Sequence, residues 1–142
     1  MREHVLTGPV LIDAGPIVAI LSDSEQHHDA CIEQLQQIRS PLLTCWPVIT
    51  EAAWLLRNRP ATIRRLLSSL GGRPFKVLAL SEADLAGIAA VLEKYEDLDI
   101  QLADASLVHL ANREKIETIF TLDRRDFSVL RLARGKKIRV LP

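Results

Sequence analysis

Four carboxylates stand where aliphatic segments end or turn into helices: Asp13, Glu51, Asp104 and Asp123. Asp13 ends the run Val10-Leu11-Ile12, and Glu51 lies just past Leu42-Leu43-Thr44-Cys45. Asp104 opens the helix-like stretch to Ala111, and Asp123 closes Thr118-Ile119-Phe120-Thr121-Leu122. A carboxylate beside buried strands is costly unless positive charge compensates it. Four on one edge call for a divalent cation, and an oxygen-only donor set suits Mg²⁺ or Mn²⁺, which keep waters and accept phosphate oxygens. The natural reaction is phosphodiester hydrolysis, with one ion activating water and a second, if present, steadying the leaving oxygen. Without metal the carboxylates repel, so at least one should hold its proton more tightly than a free side chain.

Each acid also has an ordinary reading. Asp13 could be a turn residue before Gly15-Pro16, and Glu51 a solvated carboxylate on an Ala/Leu helix. Asp104 could cap its own helix, and Asp123 could head the turn Asp123-Arg124-Arg125-Asp126. Joint placement carries the weight. No histidine is positioned for acid–base work. His27-His28 point about 100° apart on a helix and mark a helix start, and His109 is off the face of Asp104.

The elements that must position these acids alternate between strand and helix. Strands are expected at Pro9–Asp13, Leu42–Cys45, Phe75–Leu80, Thr118–Thr121 and Lys137–Leu141, with Gly15-Pro16 ending the first. A short helix should begin at Ile17, another should cover Asp29–Ile38, and Trp46-Pro47 should open a third, since proline suits a first turn. That third helix is expected to present Val48, Ala52 and Leu55 on one face, with Glu51 at its border. Pro60 opens a helix to Leu70, stopped by Gly71-Gly72. Ser81 and Asp84 have the spacing of a helix-start capping pair, and a helix from Gln101 to Asn112 carries Asp104. Such alternation predicts βαβ units and a parallel sheet with helices on both faces, whose strand ends share one edge.

The 142 residues fit one domain, 1–142, with a sizeable core. Hydrophobic content of 48% argues against disorder, and zero formal charge excludes a global field for nucleic acid. Cys31 and Cys45 form no metal-binding spacing and are expected as reduced buried thiols. The apolar segment Val5–Leu21 contains Asp13 and no small-residue cleavage site follows it, so a cytoplasmic protein without membrane segments is expected.

Four segments in order resemble the PIN domain, and most closely the VapC-like ribonuclease toxins of bacterial toxin–antitoxin pairs. They are Leu11–Leu21, Trp46–Leu56, Leu102–Ala111 and Thr121–Phe127, which together span most of the chain. The resemblance implies a three-layer α/β/α sandwich around a parallel sheet of four to five strands. It also implies a Mg²⁺- or Mn²⁺-dependent endoribonuclease, with Asp13, Glu51, Asp104 and Asp123 as its catalytic and metal-binding centre. Many relatives carry Ser or Thr directly after the first aspartate. Here Ala14-Gly15 follow, and Thr50 or Thr121 could supply the hydroxyl instead. Asp126 could support the ligands, or contact Arg124 or Arg125 in a turn.

An antitoxin partner and a homodimer are further implications of the resemblance. The chain offers Ile32-Leu35-Ile38 and Trp54-Leu55 as apolar helical surface, or as core. Nine Lys/Arg against four Asp/Glu between Arg113 and Arg139, and a cluster at Arg57, Arg59, Arg64 and Arg65, could hold RNA phosphates beside the acids. Arg57, Arg59, Arg124 and Arg125 are the candidate RNA contacts. Trp46 and Trp54 are expected in the core, leaving recognition to backbone shape and charge. Two rivals remain: a catalytically silent PIN-like module that binds RNA or protein, and a phosphatase- or receiver-type domain using Asp13 as phospho-acceptor. The latter lacks a second aspartate two residues after Asp13.

Overall fold

The computed structural model describes residues 6–142, excepting the side chain of Arg134; Val5, where the apolar amino-terminal segment begins, lies outside the described residues. The five expected strands form as three-residue segments: β1 (Val10–Ile12), β2 (Leu42–Thr44), β3 (Phe75–Val77), β4 (Thr118–Phe120) and β5 (Arg139–Leu141). They make one sheet in the order β3-β2-β1-β4-β5, with every neighbouring pair parallel. Leu11 lies opposite both Leu43 and Ile119, so β1 is central. Its three residues are all buried, as a strand covered by helices on both faces requires.

Among the described residues the helices are α1 (Ala14–Leu21), α2 (His28–Gln36), α3 (Trp46–Leu55), α4 (Pro60–Ser68), α5 (Leu85–Lys94), α6 (Leu102–Glu114) and α7 (Arg124–Val129). The architecture is the three-layer α/β/α sandwich. Strand order reverses at β1: β2 and β3 lie on one side of it, β4 and β5 on the other. The sheet therefore has its switch point between β1 and β4, where open α/β folds leave a crevice at the strand carboxyl ends. No described helix is long and apolar enough to cross a membrane.

Local chemistry sets several boundaries differently from the sequence expectation. Gly15-Pro16 do not end β1; they sit inside the first turn of α1, because Asp13 caps that helix through its side chain. A proline there gives up an amide that the first turn leaves unpaired anyway. The segment after Asp123 is the helix α7 rather than a simple turn, and Asp123 Oδ1 accepts the Asp126 N–H at 3.2 Å. Ser81 and Asp84 form the expected capping pair: Ser81 N–H donates to Asp84 Oδ2 at 2.8 Å, and Ala83 N–H to Ser81 Oγ at 3.3 Å.

The face of α3 is the main correction. It buries Val48, Ile49 and Ala52, while Leu55 is exposed. Trp46 and Trp54 are 55% and 64% exposed, so neither belongs to the core. Residues 46, 50 and 54 recur every four positions and stay on one helix face, here the face turned away from the sheet.

A second cluster ties α5 to α6. Asp84 Oδ1 takes His109 Nε2 at 2.8 Å and Arg113 Nη1 at 3.1 Å, and Arg113 also donates to the Ala79 carbonyl at 2.8 Å. Gly87 makes this possible: a Cβ there would lie 2.3 Å from His109 Nδ1. His109 is thus a packed residue. His28 Nδ1 lies 2.6 Å from the Ala19 carbonyl at the start of α2, and Cys31 and Cys45 are free and buried.

Candidate active site

Asp13 leaves β1 exactly one residue past the strand, at the switch point. Only 7% of it is exposed. Its Oδ1 accepts the Ala14 N–H at 2.8 Å and its Oδ2 accepts the Thr121 hydroxyl at 3.0 Å. Thr121 in turn accepts the Asp123 N–H at 3.0 Å. One hydroxyl therefore joins the carboxyl ends of β1 and β4 and fixes two of the acids relative to each other. Thr121 is fully buried, and its hydroxyl is the one that reaches Asp13. Thr50 does not share that role, since its hydroxyl donates to the Trp46 carbonyl at 2.9 Å on the exposed side of α3.

Asp104 lies in the first turn of α6, 8% exposed, and its Oδ2 accepts the Gln101 N–H at 3.0 Å. It is both a capping residue and a member of the acidic group. Glu51 is half-buried on α3, and Asp123 is exposed.

The acids act on one another through their charges. Burial pushes the Asp13 carboxyl up to about 6, against the Ala14 and Thr121 hydrogen bonds, and the charges of Glu51 and Asp123 add to the rise. Burial likewise lifts Asp104 to about 6; the Gln101 N–H opposes this, while Asp13, Asp123 and Asp126 reinforce it. Glu51 is raised by burial first, then by Asp104 and Asp123. Asp126 is raised chiefly by Asp123 beside it and lowered by the nearby charge of Arg125; its backbone N–H is the group that donates to Asp123. Among the described residues Asp126 forms no ion pair with Arg124 or Arg125.

None of the five acids is paired with a cation among the described residues. Arg125 acts on Asp126 through its charge alone, and clustered carboxylate oxygen is the donor chemistry a hard divalent ion takes. Among the described residues no group of three or more His, Cys, Asp or Glu side chains is gathered closely enough to hold a metal ion. The set fits Mg²⁺ or Mn²⁺ with waters filling part of the coordination sphere, as Mg²⁺ ordinarily keeps them.

The candidate basic residues divide between edges. Lys115, Lys136 and Lys137 flank the amino-terminal ends of β4 and β5, the edge opposite the acids, and Lys136 pairs with Glu117. Arg113 is spent on Asp84 and Glu114. Arg124 and Arg125 do follow β4 to the acidic edge, although Arg124 donates to the Pro142 carbonyl. Arg59 is held by Ser22 Oγ, and Arg57 stacks over the Trp54 ring, 4.2 Å from its centroid. The Asp84–His109–Arg113 cluster had no sequence signal, since its members lie 25 and 29 residues apart.

Fold and site together define an α/β/α protein with an acidic centre at the switch point of its parallel sheet. The chain belongs to the PIN domain family, which it matches over residues 10–132. It is 32% identical over 135 residues to Ribonuclease VapC26 of Mycobacterium tuberculosis, a match covering 94% of this chain and 100% of that protein. Three solved structures share its fold. Mycobacterium tuberculosis VapC20, a sarcin–ricin loop cleaving toxin, superposes with a TM-score of 0.70 at 13% identity, covering 81% of this chain and 90% of that one. A toxin–antitoxin complex from Klebsiella pneumoniae gives 0.66 at 16% identity, covering 94% and 96%. VapBC2 of Rickettsia felis, bound to a promoter DNA fragment, gives 0.67 at 10% identity, covering 95% and 100%.

Proposed function

We propose that this protein is a Mg²⁺- or Mn²⁺-dependent endoribonuclease and the toxin of a toxin–antitoxin pair. The observation that carries the reading is the acidic group at the switch point, where Thr121 joins Asp13 to the Asp123 backbone and no acid has an ion-pair partner among the described residues. Asp13, Glu51, Asp104 and Asp123 would hold the ion. When bound, it would supply charge for the scissile phosphate and activate water.

The chain's own residues do the positioning. Thr121 orients the Asp13 carboxylate and anchors the Asp123 backbone, while the Asp126 N–H holds the Asp123 carboxylate. The Gln101 N–H holds Asp104, leaving its other oxygen for a ligand. Asp126, whose N–H donates to Asp123 Oδ1, holds that carboxylate in place. A phospho-acceptor role for Asp13 is less favoured, because Gly15 stands two residues after it where that site would need a second aspartate.

The ribonuclease name of the VapC26 relative and the toxin–antitoxin neighbours support the substrate and the partner. A small antitoxin placing a basic side chain among the acids would silence the centre. We further propose a homodimer through the aliphatic groove of Pro47, Leu80, Leu85, Ile88 and Leu102, in which Leu85 and Leu102 are more than half exposed, and a cytoplasmic location for the pair. Purified protein free of antitoxin should cleave RNA with Mn²⁺ and stop in EDTA, and Asp13→Asn should abolish the cut. Cleavage undiminished in that variant would refute the assignment.

A further inference from the structure

We propose that Trp54, with Arg57 stacked on its ring, is a shelf that holds an unpaired base of single-stranded RNA beside the acidic centre. The proposal rests on the ribonuclease reading and names its substrate class. Across α3 from the buried Val48, Ile49 and Ala52 run Trp46, Thr50 and Trp54, each about 40° round from the last and all exposed. An indole is among the largest apolar surfaces a side chain can bury, yet Trp54 stays 64% exposed.

Arg57 fixes the ring's surroundings. Its guanidinium carbon sits 4.2 Å from the ring centroid, and its Nη1 donates to the Trp54 carbonyl at 3.0 Å. Trp54 also follows Glu51 by three residues, so the two are neighbours on the helix surface. An aromatic face for a base, a cation for its phosphate and a carboxylate of the acidic centre thus lie within seven consecutive residues, Glu51 to Arg57.

Stacking on an aromatic ring needs a base whose face is free, which selects single strands over duplexes and tolerates any sequence. The cation favours RNA over a protein occupant here. A protein partner has a better surface in the aliphatic groove at Leu85 and Leu102, where no such pair interrupts the apolar lining.

The test uses the full chain. Trp46→Phe leaves Trp54 as the sole indole, and Asp13→Asn keeps the RNA uncut. A short unstructured RNA of mixed sequence should quench Trp54 fluorescence, and the same strand annealed into a duplex should not. With Asp13 restored, Trp54→Ala should raise KM roughly 5- to 150-fold, corresponding to about 1–3 kcal/mol per stacked base, with kcat far less affected. Trp54→Phe should recover part of the loss. Unchanged KM in Trp54→Ala would overturn the proposal, as would RNA binding without quenching. So would a Trp54→Ala protein that loses only dimerisation or antitoxin binding. Quenching in a chain that keeps Asp13 yet cuts no RNA with Mn²⁺ would sink the ribonuclease reading and leave the shelf standing.

Discussion

Replacing Asp13 by Asn should make the metal-free protein more stable while destroying its activity. At pH 7 the Asp13 carboxyl, pushed up to about 6 from an ordinary 3.8, is ionised in a site that disfavours the charge. The shift of about two units corresponds to about 3 kcal/mol of folding stability lost at pH 7. Asparagine keeps an oxygen for the Ala14 N–H and can donate to Thr121, so the cap survives without the charge. The raised group contributes stability that is fully present below pH 3.8 and is lost as pH climbs through 6. The gain from Asp13→Asn should therefore approach about 3 kcal/mol at pH 7, fall to roughly half that at pH 5, and vanish below about pH 4. Urea denaturation in EDTA across this range measures it directly. Added Mn²⁺ should stabilise the wild type and not the variant, closing the gap. A variant less stable than wild type at pH 7 in EDTA, or a gain that ignores pH, would refute the reasoning.

Two other substitutions test the supports of the site. Thr121→Val removes the hydroxyl between Asp13 and Asp123 and strands the Asp123 N–H; denaturation should show a loss of about 1–3 kcal/mol, and RNA cleavage should fall with it. Gly87→Ala drives a methyl into His109 and should cost about 1–3 kcal/mol, with nuclear magnetic resonance of the His109 ring reporting loss of its Asp84 contact; an unperturbed ring would mean α5 and α6 can separate cheaply.

Much of the scaffold was legible because local rules set it. All five strands were marked by apolar runs, and Pro47, Pro60, Ser81 and Gly71-Gly72 announced helix ends by their backbone chemistry. The start of the first helix was expected at Ile17 and lies three residues earlier, because Asp13 caps a helix that begins at once at Ala14. Burial of the two tryptophans failed as an expectation because hydrophobicity does not say which face of α3 meets the sheet. The spacing of Val48, Ile49 and Ala52 against Trp46, Thr50 and Trp54 held that answer. The basic residues from Arg113 to Arg139 looked like one patch only because sequence order hides which end of a strand each flanks. Thr121 became the partner of Asp13 through a contact spanning 108 residues, beyond the reach of any periodicity.

The account depends on these acids holding a divalent ion, and titration of Mn²⁺ into the metal-free protein at pH 7, with free Mn²⁺ followed by electron paramagnetic resonance, tests that most directly. Wild type should show saturable binding, and Asp104→Asn should lose it while unfolding with a cooperative transition like that of wild type. Absent binding in the folded wild type, or equal binding by Asp104→Asn, would contradict the account.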